Sequence, residues 1–151
     1  GGTLTGPAGE RAPRFVVLSA KDPIGANLDR LQIVKGWVDA GGRSHEKIYD
    51  IAGGGNRERD PATGLLLPID STVDVEQATY TNTIGTAQLA AVWEDPDFNA
   101  AQNAFYYARV IEIPTPRYST YDAKALGVPA PEPASIQERA VSSAIWYQPG
   151  M

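Results

Sequence analysis

The hydrophobic pattern of the chain is that of short strands separated by turns, and its strongest segment is Phe105–Ile113. Aromatic and β-branched residues dominate this segment, as they do in strands that pack on a pleated surface. Both alternating faces are largely apolar, with Arg109 and Glu112 as the charged interruptions. We therefore predict a central strand covered on both sides, which ends because Pro114 and Pro116 offer no N–H to a ladder.

Further segments carry the alternation or the short apolar runs that are typical of strands. A loop of hairpin length, rich in glycine, joins two of them, so they are predicted to form an antiparallel hairpin. A third, residues 87–93, fits strand or helix by propensity, and its neighbours favour strand. The predicted strands besides the central one are residues 14–20, 31–38, 45–51, 78–84, 87–93 and 137–147. About seven strands with turns between them predict an all-β fold, an antiparallel β-sandwich with long loops.

The remaining segments are predicted to be irregular, with one exception. Residues 1–13 are rich in glycine and proline and are predicted to be a flexible lead-in to a domain of residues 14–151. The stretch from Gly53 to about Val73 is a long loop, and such loops are often functional. Ser119–Asp122 matches a capping box, which predicts a short helix at residues 120–126 that stops at Gly127.

Composition excludes several classes of function. The net charge is −5 and no basic run exists, which argues against a nucleic-acid surface. No apolar run approaches the ~20 residues of a membrane helix, so no membrane span is predicted. The chain contains no cysteine and a single histidine, His45, so it cannot build a multi-histidine metal site by itself. We therefore expect no cofactor in this chain, and we interpret His45 as a partly exposed strand residue.

One acidic turn resembles the opening of a calcium-binding loop. Asp95, Asp97 and Asn99 have the D-x-D-x-N spacing. However, Ala100 stands where such loops need glycine, and Tyr106 stands where they need the bidentate glutamate. The pattern therefore favours turn-forming acids over a metal site.

The aromatic residues leave two interpretations open. Trp37, Trp93 and Trp146, together with seven tyrosines, could build a platform on which sugars stack. In a β-sandwich such residues more often belong to the core or to an interface. Solvent exposure of the three indoles separates these interpretations.

Arg109, Arg117, Tyr121 and Asp122 are the candidate substrate-facing or docking residues. Arg117 follows two prolines that fix the backbone, and a rigidly held arginine suits bidentate recognition of a carboxylate or phosphate. The alternative is an internal network, with ion pairs between Arg109 and Glu112 or between Arg117 and Asp122. No catalytic or metal-binding residue is predicted.

Several long motifs resemble the C-terminal part of a large bacterial family of unknown function. They are Lys21–Trp37, His45–Asp50, Ala104–Ala123, Ile136–Ala140 and Ile145–Tyr147. The family's members resemble, in their N-terminal part, the polymerase-and-histidinol-phosphatase (PHP) superfamily of metal-dependent hydrolases. The resemblance implies that this chain is a fragment, that the metal ligands and any divalent metal belong upstream of Gly1, and that the protein is bacterial.

Two functions follow as expectations. The resemblance implies an accessory β-sandwich, non-catalytic alone, which packs against the upstream catalytic domain with the Pro114–Asp122 corner as its docking or substrate-facing edge. The alternative is an independent carbohydrate- or ligand-binding module that uses exposed tryptophans. The resemblance also favours a periplasmic or cell-envelope location, whereas the oligomeric state stays open.

Overall fold

Strands account for nearly all regular structure in the computed structural model, which describes residues 1–6 and 11–150. One short helix lies between the seventh and eighth strands. In chain order the elements are β1 Thr3–Gly6, β2 Arg14–Ala20, β3 Leu28–Val38, β4 Ser44–Gly53, β5 Gln88–Glu94, β6 Ala104–Glu112, β7 Thr115–Pro116, α1 Tyr118–Leu126, β8 Ser135–Ile136, β9 Arg139–Val141 and β10 Ile145–Pro149. The predicted mostly β fold with one short helix is confirmed.

The largest sheet, here called the main sheet, has the strand order β1-β10-β6-β3-β4. The short β9 also pairs with β6. All of its pairs are antiparallel except β1 with β10. β2 and β5 form a separate antiparallel pair, here called the ribbon, and β7 pairs with β8. The predicted central strand therefore lies at the centre of the main sheet as β6, and the predicted hairpin is β3–β4.

The ribbon packs across one face of the main sheet, here called the inner face. Phe15 of the ribbon lies 5.0 Å from Tyr106 of β6, between ring centroids, and Trp93 lies 4.9 Å from Tyr49 of β4. Ile33, Ala104 and Tyr147 complete this core cluster. An isolated two-stranded sheet is marginally stable in water, so the ribbon depends on this contact.

Two predicted strands are wrong in part. Residues 78–84 form bends and one isolated bridge, Asp74 with Thr79, instead of a strand, and the Asn82 side chain accepts from the Asn27 N–H while the Asn27 side chain donates to the Asn82 carbonyl. The predicted strand at residues 137–147 is divided into β9 and β10. Between them, the Ala108 N–H donates to the Ser142 hydroxyl at 3.0 Å, so a side chain replaces a backbone acceptor.

The predicted capping box is also wrong. The helix begins at Tyr118 with Arg117 as its N-cap, and no side chain caps it. Because the Arg117 carbonyl accepts from the Thr120 and Tyr121 N–H groups, Ser119 already lies inside the first turn. The predicted stop is confirmed, since Gly127 adopts the left-handed conformation with φ 66°.

The predicted lead-in contains a strand that its glycine and proline content did not indicate. Thr3–Gly6 forms β1 and pairs in parallel with β10. Residues 7–10 of the same segment lie outside the described residues. Across the ranges that the structure describes, no helix has the length and hydropathy needed to cross a bilayer.

Candidate functional site

The face of the main sheet opposite the ribbon, here called the outer face, carries cross-strand rows of side chains. In one row, Trp146 of β10 stands opposite Phe105 of β6, and Phe105 stands opposite Gly36 of β3. Glu46 of β4 completes the row beside Gly36. The row therefore consists of the Trp146 indole, the Phe105 phenyl ring, Gly36 with no side chain, and the Glu46 carboxylate.

Because Gly36 has no side chain, the Phe105 ring can occupy the position above it on the sheet surface. A Cβ at Gly36 would meet the Phe105 ring at 2.3 Å, so the ring occupies the space above the glycine. The Phe105 and Trp146 centroids are 5.4 Å apart. Tyr107 stacks against Phe105 with its plane only 9° away and its centroid at 6.4 Å. The planes of Phe105 and Trp146 are tilted by 53°, so the two rings form an angled aromatic floor, and Trp146 is still 53% exposed.

Above this floor lies an open groove of about 590 Å³. We call it the aromatic groove, with Gly36, Phe105 and Trp146 as its floor. Exposed polar side chains form its rim, and none of them has a hydrogen-bond partner within the described part of the chain. These rim residues are Ser44, Glu46, Asn103 and Gln148. The groove thus combines an apolar floor with uncommitted donors and acceptors.

The other end of the outer face is closed by a polar network. Arg109 Nε donates to Gln32 Oε1 at 2.8 Å, and Gln32 Nε2 donates to Asp50 Oδ1 at 2.6 Å. The Leu66 N–H, from the loop after β4, donates to Asp50 Oδ2 at 2.7 Å. β6 is therefore covered on both faces at its Arg109 end, whereas its Phe105 end is covered on the inner face alone. The prediction that the whole strand is covered on both sides is therefore wrong in part.

A buried aspartate extends this network to the edge of the sheet. Asp29 accepts from Gln137 Nε2 at 2.8 Å and forms ion pairs with Arg30 at 3.1 Å and Arg57 at 2.5 Å. Its side chain is fully buried, so these partners compensate for its lost hydration. We interpret the network as structural, because its charges pair with one another, although Asp29 Oδ1, Arg30 Nε and Arg57 Nε make no hydrogen bond in the described ranges.

The acids of the predicted calcium-like turn hold the loop between β5 and β6 against the sheet. Asp95 pairs with the buried Lys35 at 2.5 Å and accepts from the Tyr106 hydroxyl at 2.7 Å. Hydrogen bonds from Lys47 and Tyr49 lower the pKa of Asp97. Both acids therefore have structural partners, as the turn interpretation predicted. Over the residues that the structure describes, no group of three or more His, Cys, Asp or Glu could hold a metal ion.

The ribbon exposes a second surface, which is purely aliphatic. Val16 stands opposite Val92, and Leu18 stands opposite Ala90. Val16, Leu18 and Val92 are 70%, 76% and 65% exposed. We call these four side chains the aliphatic patch.

Within residues 1–6 and 11–150, the side chains of the candidate residues at the corner after β7 make no ion pair or hydrogen bond. Arg117 precedes α1, and Tyr121 and Asp122 are exposed on it. In the described ranges, neither the Arg117–Asp122 nor the Arg109–Glu112 ion pair forms. Burial and, secondarily, the nearby Glu138 raise the pKa of Glu112. A docking or substrate-facing role for the corner stays a prediction.

The three tryptophans do not form one platform. Trp37 is half-buried and stacks on His45 with centroids 5.2 Å apart, and Trp93 lies in the core cluster. Only Trp146 of the three is exposed. His45 is an exposed strand residue bonded to Asp39 at 2.8 Å, which confirms its interpretation. Sequence reasoning missed Gly36 and Phe105 as groove residues, because their pairing depends on strand register.

These observations define a mostly β domain with an aromatic groove on one sheet and an aliphatic patch on the other. The chain belongs to the family described as "Protein of unknown function (DUF3604)", which matches residues 1–149. Neither the curated proteins nor the solved structures contain a match to it. The predicted membership of a family of unknown function is therefore confirmed, whereas the upstream hydrolase remains a prediction.

Proposed function

We propose that this chain is an accessory β-sandwich domain, non-catalytic by itself, which packs against a metal-dependent hydrolase domain of the same polypeptide. The docking surface is the aliphatic patch of the ribbon. The observation that carries the proposal is the side-by-side exposure of Val16, Leu18 and Val92 on paired strands.

The chemistry of the patch favours a protein partner. Full burial of a valine or leucine side chain contributes about 1.5–3 kcal/mol of favourable free energy. A protein surface of matching shape that buried all three side chains would therefore bind the patch with a substantial favourable free energy. The patch has no polar group to recognise a sugar or phosphate. At its end Arg14 and Glu94 neutralise each other in an exposed ion pair at 3.3 Å. An apolar, uncharged surface of this kind is typical of protein interaction sites.

In this proposal the partner of the patch is the upstream PHP-like hydrolase domain that the family resemblance implies. Contacts between domains of one chain resemble transient protein interfaces, in which a small apolar centre has a polar border. Arg117 and Asp122 at the corner, whose side chains make no ion pair among the described residues, are further groups that such a domain could engage. The divalent metal would belong to that hydrolase domain.

The test compares Leu18→Lys with Leu126→Lys in a polypeptide that carries both domains. Leu126 is a matched control because it is 75% exposed on α1, against 76% for Leu18 on the ribbon. Hydrogen exchange of β2 and β5 is measured in this chain alone and in the longer polypeptide. We expect slower exchange in the longer polypeptide, lost in Leu18→Lys and retained in Leu126→Lys.

Two results would contradict the proposal. Equal exchange of the ribbon in the two contexts would mean that nothing covers the patch. Concentration-dependent dimers of this chain that Leu18→Lys dissociates would mean that the patch binds a second copy. Thermal unfolding of each variant alone checks that the substitution itself leaves the domain folded.

A further inference from the structure

We propose that the aromatic groove is a binding site for a neutral oligosaccharide. This site lies on the main sheet and uses none of the residues of the aliphatic patch, so the inference does not depend on the proposed docking role. Its volume of about 590 Å³ falls within the range of small-ligand sites, about 300–1,000 Å³.

The floor has the aromatic chemistry on which pyranose rings stack. Sugar rings present flat faces of C–H groups, which pack against the π-faces of aromatic side chains. The Phe105 ring occupies the space above Gly36, and Trp146 lies beside it at 5.4 Å between centroids with its plane tilted by 53°, so each ring offers its own stacking surface. Their positions are fixed by strand pairing, which lowers the entropic cost of binding.

The rim supplies the hydrogen bonds that sugar hydroxyls need. Asn103 and Gln148 each offer an amide donor and an acceptor, Ser44 offers both in one hydroxyl, and Glu46 offers two acceptor oxygens. All four side chains are exposed and make no hydrogen bond within residues 1–6 and 11–150. A hydroxyl-rich ligand would engage these groups, whereas an aliphatic protein surface would leave them unpaired at a cost.

The charge of the groove restricts the ligand to neutral sugars. Glu46 is the acidic residue of the rim, and the whole chain carries a net charge of −5. The one imidazole of the lining, on His45, already faces the Asp39 carboxylate. Sugar acids and phosphorylated sugars would therefore meet repulsion without a compensating cation.

Calorimetric titration of this chain tests the proposal with four neutral probes: cellohexaose, mannohexaose, chitohexaose and maltohexaose. Oligogalacturonate of the same length is the acidic comparison. We expect saturable binding of at least one neutral probe, a change in tryptophan emission, and no binding of the acidic probe. Trp146→Ala should weaken binding at least about tenfold, because it removes half of the stacking surface.

Two further variants keep the test independent of folding. Gln148→Ala removes an exposed rim amide with no partner and should weaken binding by roughly threefold to tenfold, the worth of one hydrogen bond. Tyr118→Ala removes an aromatic ring that is 74% exposed on α1 and should leave binding unchanged.

Three results would overturn the proposal. The first is no binding by any neutral probe, and the second is binding that Trp146→Ala and Gln148→Ala leave intact. The third is preferential binding of oligogalacturonate, which would contradict the argument from charge. Ribbon exchange in the longer polypeptide is unaffected by the groove variants, so failure here is separable from failure of the docking proposal.

Discussion

The aliphatic patch and the aromatic groove are both uncovered, yet the chain builds them in opposite ways. Val16, Leu18 and Val92 stand out from a two-stranded ribbon and touch little of their own domain. Phe105 lies down over Gly36 and is flanked by Trp146, so the groove side chains are packed on one another before any ligand arrives. The apolar side chains of the patch contribute burial free energy only when another surface covers them, whereas the side chains of the groove already pack on one another.

This difference teaches how exposed apolar area should be interpreted. Exposure alone does not distinguish a docking surface from a ligand site, since Leu18 and Trp146 are both well exposed. The neighbours distinguish them. The groove has a rim of uncommitted polar groups, and the patch has only the self-neutralised Arg14–Glu94 pair. Substitutions should therefore affect the two regions unequally.

The largest effect is expected where the ribbon joins the main sheet. Asp95→Ala removes the carboxylate that pairs with Lys35, which is 3% exposed, and leaves this buried charge with a hydrogen bond to the Asp97 carbonyl but no ion pair. We expect a loss of about 3–5 kcal/mol in the free energy of unfolding. Urea unfolding measures it, and the double variant Lys35→Met with Asp95→Leu should recover much of the loss. A loss confined to the ribbon, with the main sheet intact, would show that the two regions unfold separately.

Gly36→Ala should damage the groove and leave the patch intact. The new Cβ would meet the Phe105 ring at 2.3 Å, so the ring must move. We expect a destabilisation of about 1–3 kcal/mol together with altered tryptophan emission. Gly2→Ala is the control, because a Cβ there meets nothing within 4 Å, and it should stay within about 0.5 kcal/mol of the wild type. Equal effects of both substitutions would contradict the packed arrangement of the floor.

Removing one exposed side chain from each region compares them directly. Trp146→Ala should cost about 0.5–1.5 kcal/mol in the isolated chain, because it ends the contact with Phe105. Leu18→Ala should change the free energy of unfolding by less than about 0.5 kcal/mol. The measurement is chemical denaturation at neutral pH. If Leu18→Ala proved the costlier of the two, the ribbon would be more tightly packed than its exposure indicates.

A pH-dependent effect is expected at the loop that fastens the ribbon to the main sheet. Lys47 and Tyr49 lower the pKa of Asp97, so the ionised form contributes stability at neutral pH. This contribution is complete above the unfolded pKa near 3.8 and is lost as the pH falls through the lower folded value. Because Asp97 is half exposed, we expect Asp97→Asn to cost less than about 1 kcal/mol at pH 7. A difference from wild type that persisted unchanged at pH 2 would contradict this assignment.

The smallest effect is expected at Arg117. Its side chain makes no ion pair in the described ranges, although its backbone N–H bonds to Ala134. Arg117→Ala should therefore change the free energy of unfolding by less than about 0.5 kcal/mol and leave the melting temperature of this chain nearly unchanged. A role in the proposed hydrolase would instead appear as reduced activity of the longer polypeptide. A marked drop in melting temperature would assign the arginine to the internal network that the sequence also allowed.

Local patterns were sufficient to predict most elements of this fold. Alternation and aromatic content predicted β6, glycine content predicted the hairpin between β3 and β4, and Gly127 predicted the end of α1. These features depend on interactions over a few residues, which the sequence displays directly. One error arose where a side chain replaced a backbone partner, as Ser142 does between β9 and β10, and β1 was missed because its pairing with β10 is long-range.

The sequence by itself determined most of the long strands, and it excluded a basic surface and a multi-histidine metal site within this chain. Only the tertiary structure decided where the candidate sites lie. Trp146, Phe105, Gly36 and Glu46 come from four strands, and their alignment depends on the register of three strand pairs. A shift of one residue in any pair would move its side chains to the other face. Local periodicity indicates which segments form strands, whereas the groove depends on how strands that are distant in sequence align in the sheet.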